Sequence, residues 1–274
     1  MSIYLVAEGG VNANGHLDWA LRLCDEAKVA GCDAIKWQKR QVEVSTPKEM
    51  WNVLREWEGE TVTYIDYRRK VEFGKAEFDT IARHCEAIGI QWSLSVWDEP
   101  SVEFAQQYDL PWIKIPSAHL TNHDLLNKVA STGIPMVVST GMSTQDEIDD
   151  AVPLVPFISG ASLMHCTSSY PAKDADLNLS YMYKLSTHGF PVGFSSHSPT
   201  PYPAIGAGYL GARSIEAHLT LDRSLPGSDQ AASLELKGMT LLRRELDRVE
   251  VVMGDGVKRI EQDELPIRKK LRGY

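Results

Sequence analysis

Short apolar runs alternate with longer amphipathic stretches along most of the chain. Eight runs read as strands: Tyr4 to Ala7, Ala34 to Trp37, Gln91 to Val96, Trp112 to Ile115, Met136 to Ser139, Ser162 to Cys166, Val192 to Phe194 and Ser214 to Ala217. Between them apolar residues recur at the 3.6-residue period; Phe78, Ile81, Ala82, Cys85 and Ile88 share one helix face, for example. Seven such helices separate the strands, and another over about Ala231 to Met253 completes the series. This alternation predicts an α/β fold, a (β/α)8 or TIM barrel, over residues 1–256.

The even spacing breaks once, over 39–75, where Trp51, Trp57, Tyr64 and Tyr67 lie among charges. Long connections after barrel strands sit at the active-site face, so this insertion reads either as a lid or oligomer contact, or as a surface loop with short helices. Residues 257–274 read as a polar tail with a basic end, leading away from the barrel into no second domain.

Composition narrows the function classes. A chain of 274 residues suits a barrel, and 43% hydrophobic with 24% charged residues is ordinary for a globular protein. No run approaches the roughly 18 apolar residues of a membrane span, and the start MSIYLVAEGG has no basic segment of a secretory signal. A cytoplasmic protein is expected. The net charge of -9 argues against nucleic acid, which calls for a basic stripe. Cys24, Cys32, Cys85 and Cys166 lack CxxC spacing and read as buried free thiols.

In a barrel, side chains at the carboxyl ends of the strands converge on one pocket. That position test selects Glu8, Lys36, Gln38, Ser95, Lys114, Ser117, Ser139, Thr140, Thr167, Ser168, Tyr170, Ser195, Ser196, His197, Glu216 and His218. Lysines within closed-barrel strands are costly to bury without an anion or carboxylate partner, so Lys36 and Lys114 point either to a bound anion or to ion pairs with Glu8 or Glu216. The hydroxyls, and the turn STGMS opening a helix at Thr144 to Ile148, suit a phosphate or carboxylate; helix capping is the plainer role for any one of them. His197 and His218, ending the last two strands, are close enough to share a divalent ion. Two imidazoles with oxygen ligands suit manganese, with magnesium or cobalt as substitutes.

These residues carry a resemblance. The motifs AEGGVNANG, DAIKWQ, VEFGKAEFD, WIKIPSAHLTN, VVSTGMST, MHCTSSYPA, GFSSHS, IEAHLTLDRSLPGSDQAASLE and MGDGVKR occur in order over nearly the whole chain. The chain resembles the catalytic barrel of the sialic acid synthase family, without that family's carboxyl-terminal antifreeze-like domain. The resemblance implies a transferase that condenses phosphoenolpyruvate with a sugar aldehyde such as N-acetylmannosamine, giving a nonulosonic or related 3-deoxy ulosonic acid and phosphate. It places Lys36, Ser95, Lys114, Ser117, Ser139, Ser168 and Ser195 around phosphoenolpyruvate, His197 and His218 on a divalent metal, and Glu8 at the same pocket. Gln38, Tyr170 and Asp229 match sugar-facing positions. A homodimer is expected, since family barrels pair face to face.

Departures concentrate on the sugar side. His119 stands where the family usually has Glu, Ala13 for His, Ser168 for a frequent Asn, Ser196 for Asp and Ala217 for Lys, and SVWDEP replaces STPFDE. The acceptor is therefore expected to be smaller or differently charged than N-acetylmannosamine. Two alternatives stay open: a noncatalytic metabolite-binding barrel, and a pyruvate aldolase with Lys36 or Lys114 forming an imine.

Overall fold

The computed structural model describes residues 2–273. Among these described residues there are ten strands: β1 Tyr4–Gly10, β2 Ala34–Lys39, β3 Leu54–Trp57, β4 Glu60–Thr63, β5 Gln91–Val96, β6 Ile113–Ile115, β7 Met136–Ser139, β8 Ser162–Cys166, β9 Val192–Ser196 and β10 Ser214–His218. Eight of them close a parallel barrel in the order β1-β2-β5-β6-β7-β8-β9-β10, with β10 returning to β1. This is the expected TIM barrel, its helices outside. Register brings functional positions level: Glu8 pairs with His218 and with Lys36, and Ser95 with Lys114.

The helices start where the chain supplies caps. Asp98 accepts from Ser101 N at 2.8 Å to open Glu99–Ala105, Asn122 opens His123–Ala130, and Thr144 with Glu147 forms a capping box before Gln145–Ala151. Their apolar faces bury Phe78, Ile81, Leu125, Leu126 and Leu185 against the outer faces of the strands, which point Leu5, Ile35, Leu94, Ile113 and Phe194 outwards into one continuous core. At the contact between Tyr202–Tyr209 and Leu236–Met253 the backbones are close: a β-carbon on Gly208 would lie 2.9 Å from the Leu246 side chain.

The periodicity is less exact at the ends of elements. The last long helix begins at Leu236, preceded by a 3-10 turn at Gln230–Ala232, and the terminal tail contains an exposed helix at Glu264–Arg272. The insertion holds a hairpin that the charge-rich run concealed: β3 and β4 pair antiparallel across Glu58 and Gly59, whose φ values of 49° and 84° are those of a tight two-residue turn. Trp57 and Tyr67 are buried with Val11 and Val71 in a small core of its own, and Arg55 lies 3.6 Å over the Tyr67 ring. Lys39 Nζ and Arg40 N both donate to Glu72, at 2.6 and 3.0 Å, tying the insertion's return to the carboxyl end of β2. No helix is long and apolar enough to cross a membrane among the described residues.

Candidate active site

Successive residues of a strand point to opposite faces, so inward positions recur every second residue. At the carboxyl end these are Glu8 on β1, Lys36 and Gln38 on β2, Ser95 on β5, Lys114 on β6, Ser139 on β7, Ser195 on β9, and Glu216 and His218 on β10, with His197 just beyond β9. All line one cavity of about 180 Å³, joined by Ser117, Ser168 and Tyr170 from the loops above.

Four charges form its floor. Lys36 Nζ ion-pairs with Glu8 Oε2, donates to Ser95 Oγ at 2.6 Å, and lies 3.8 Å from Glu216 Oε1. Lys114 Nζ donates to Glu216 Oε2 at 2.9 Å, and Ser195 Oγ donates to Glu216 Oε1 at 3.0 Å. Lys36, Lys114 and Glu8 are each at most 3% exposed. Burial disfavours every one of these charges; mutual attraction decides the outcome. For Glu216 burial is outweighed by Lys114 and Lys36, which hold its pKa down at about 2. For Glu8 burial wins over Lys36, and the pKa is raised. Burial lowers Lys114 despite Glu216, whereas for Lys36 the two carboxylates overcome burial and raise it. The floor thus sets two lysines against two carboxylates, of which Glu216 is held ionised.

Ser117 and Ser168 meet the backbone of Gly141 at another part of the wall. Gly141 N donates to Ser117 Oγ at 3.1 Å, and a β-carbon on Gly141 would lie 2.3 Å from Ser168 Oγ, so only glycine lets this backbone approach both serines. Met142 beside it has φ 60°, an unusual conformation for a non-glycine residue at a functional loop.

The imidazoles of His197 and His218 lie with ring centres 5.3 Å apart, and Tyr170 covers His197 at 4.0 Å. His197 Nδ1 donates to the Thr167 carbonyl oxygen at 2.6 Å, which fixes the tautomer and leaves Nε2 as a lone-pair donor to a ligand. Its pKa is nevertheless raised, because the Cys166 sulfur and that carbonyl outweigh burial. For His218 burial lowers the pKa to about 4, opposed by Asp229, so this ring is neutral near pH 7. His218 Nδ1 is buried without a hydrogen-bond partner, 3.7 Å from Asp229 Oδ2. A neutral ring, an orphaned buried nitrogen and a second ring with its outer nitrogen free are a donor set that fits a divalent metal. No cluster of three His, Cys, Asp or Glu suited to a metal occurs among the described residues, so the remaining ligands would be water or substrate oxygens.

Two expected site residues stand back from the cavity. His119 packs edge-on against Trp97 at 5.4 Å, and Trp97 is the residue that reaches the cavity. Asp229 acts on the site through His218 and accepts from Ser228 Oγ at 2.6 Å. Of the wider set, Thr140 and Thr167 bond the carbonyl oxygens of Met164 and Asp176, and Ser196 Oγ accepts from Ser198 N, because the alternation turns Thr140 and Ser196 out of the bore. Sequence reasoning gave no role to Cys166, Met142 or Trp97, which also line the cavity. Cys166 was recoverable from its even spacing with Met164 on β8. Trp97, whose buried Nε1 has no partner, lies in the departing segment SVWDEP and has Arg40 stacked 3.9 Å from its ring.

Comparison with known proteins agrees along the whole barrel. Residues 23–258 match the NeuB family. The N,N'-diacetyllegionaminic acid synthase of Legionella pneumophila is 34% identical, over 99% of this chain and 79% of its own length. Human N-acetylneuraminate-9-phosphate synthase is 32% identical, over 98% and 76% respectively. The crystal structure of the N-acetylneuraminic acid (sialic acid) synthetase from Leptospira borgpetersenii in complex with citrate superposes with a TM-score of 0.86 at 31% identity, covering 100% of this chain and 94% of that one.

Proposed function

The chain belongs to the NeuB family, and on that premise we propose that it condenses phosphoenolpyruvate with a sugar aldehyde to give a nonulosonic or related 3-deoxy ulosonic acid and phosphate. It is a condensing transferase of the sialic acid synthase type. The observation that carries the substrate reading is the pair of buried lysines, Lys36 and Lys114, facing serine hydroxyls across one cavity. Such a floor holds a small molecule with two separated anionic groups, as phosphoenolpyruvate has. The Leptospira relative was crystallised with citrate, another small polyanion.

The chain's own residues supply positioning and proton transfer. Lys36, Lys114 and Ser95 clamp the carboxylate and phosphate, with Ser117, Ser139, Ser168 and Ser195 orienting them. His197 and His218 would hold a divalent ion, manganese foremost, which when bound polarises the acceptor aldehyde. Carbon 3 of phosphoenolpyruvate then attacks the aldehyde carbon. The aldehyde oxygen becomes a hydroxyl by taking a proton that is replaced, in net terms, by the one released when water adds. Water adds at carbon 2, its proton passing to Glu8, whose raised pKa suits a general base. Phosphate leaves from the tetrahedral intermediate with its bridging oxygen. Tyr170 and Gln38 line the acceptor end, with Asp229 standing behind His218. His119 and Arg40 make that end less acidic than a glutamate would, which favours an acceptor different from N-acetylmannosamine, one of smaller size or carrying negative charge. A cytoplasmic homodimer is the working form we propose, and sedimentation velocity checks it.

The test is a phosphate-release assay with phosphoenolpyruvate, manganese and a panel of N-acylated and phosphorylated aldoses. Phosphate is expected with at least one acceptor, and chelation abolishes it. Phosphate from none of them refutes the proposal. Lys114, its pKa lowered by burial, is the one feature favouring an imine aldolase; borohydride with pyruvate is expected to trap no adduct, because Glu216 holds this amine at 2.9 Å.

A further inference from the structure

The bore holds a second cavity, at the end opposite the candidate active site. Its volume is about 330 Å³, and it opens at the amino-terminal mouth, where β1, β5, β8 and β10 begin. Val6, Trp112, Val137 and Met164 wall it, as part of an apolar cluster separate from the main core. Small residues at inward positions leave this layer open. Ser162 and Ser214, in phase with the inward Met164 and Glu216, are two of them. Barrel interiors are normally filled by layers of branched side chains at close packing, so an open apolar layer is a departure.

The few polar groups lie at the edges. Tyr4 donates its hydroxyl proton to Gln91 at the rim, and Glu216 forms part of the inner wall. Glu216 borders both cavities, and the Met164 sulfur lies 3.1 Å from Lys114 Nζ, so this layer is the underside of the active-site floor. A concave apolar space of a few hundred cubic ångströms with sparse polar groups has the form of a small-molecule site.

We propose that this mouth binds a neutral, mainly apolar molecule of about one aromatic ring carrying a hydroxyl group. The ring packs between Trp112, Val137 and Met164, and the hydroxyl meets the Tyr4–Gln91 pair. Neutrality follows from the lining, where Arg213 and Glu216 carry opposite charges. The inference is independent of the reaction proposed for the upper cavity.

The probe is p-cresol, followed by saturation-transfer NMR on the full chain with and without phosphoenolpyruvate. Binding at millimolar concentration that phosphoenolpyruvate does not displace is expected. Val137→Phe, which fills the space, is expected to weaken it at least about tenfold with an unchanged circular dichroism spectrum. If that variant does not fold, a crystal of the unsubstituted protein grown with p-cresol decides, the ring lying between Trp112 and Met164. Absence of binding, displacement by phosphoenolpyruvate, a ring found elsewhere, or mouths buried between two copies in solution each overturn the proposal.

Discussion

Two layers of one barrel bore lie a single strand repeat apart and differ completely in chemistry. Along β1 the inward pair is Val6 then Glu8; along β7, Val137 then Ser139; along β8, Met164 then Cys166; and Lys114 on β6 follows Trp112. The lower layer is apolar and loosely filled. The upper layer links four charges and the hydroxyls of Ser95 and Ser195 into one network. The same backbone supports both, because side-chain direction depends only on parity along the strand. Chemistry was therefore placed at one end of the barrel by residue choice, while the packing that holds the strands lies mainly outside the bore.

Substitutions can break this contrast from either side. The largest effect is expected for Lys114→Gln, which removes one of two buried cations from the upper layer: turnover should fall by about 10³-fold in the phosphate-release assay, as for loss of one preorganised electrostatic group. Trp112→Ala, two residues earlier, should instead cost about 3 kcal/mol of stability in urea unfolding through lost packing, and leave phosphoenolpyruvate affinity within a few-fold.

Glu216 links the layers and should reveal itself by pH. Its folded pKa is depressed to about 2 from an ordinary 4.5, so its contribution is fully present above about pH 4.5 and is lost as pH falls towards 2. Glu216→Gln is expected to be destabilised by on the order of 2 kcal/mol at neutral pH, with the gap to the parent narrowing over that acid window. A gap independent of pH would show that Glu216 is not held ionised by its lysines. The smallest effect is expected for His119→Glu. Standing behind Trp97, it should change KM for the acceptor by about tenfold and leave KM for phosphoenolpyruvate unchanged.

The barrel and its upper layer were legible because both rest on periodicity. Alternating apolar runs marked the strands, and inward parity plus strand ends singled out Lys36, Lys114, His197 and His218 without any knowledge of loops. What periodicity does not encode was missed. The hairpin of β3 and β4 hid among charges, since its apolar residues pack on the insertion's own core. Trp97 and Met142 sit on loops whose direction is set by local backbone geometry, such as the left-handed Met142. Asp229 and His119 were named through the resemblance, but that they stand behind His218 and Trp97 is a relation strand-end position does not show. The lower cavity was invisible for a different reason: emptiness depends on the summed size of residues from several strands, and no single stretch of sequence carries that sum.

Condensation at the upper layer has one signature that joins substrate, bond cleavage and product. Phosphoenolpyruvate labelled with ¹⁸O at the bridging oxygen can be incubated with the protein, manganese and an active aldose while phosphorus NMR follows the phosphate. Water addition at carbon 2 with carbon–oxygen cleavage requires that phosphate appear carrying the label, seen as the isotope shift of its resonance. Unlabelled phosphate, or no phosphate at all, would contradict it.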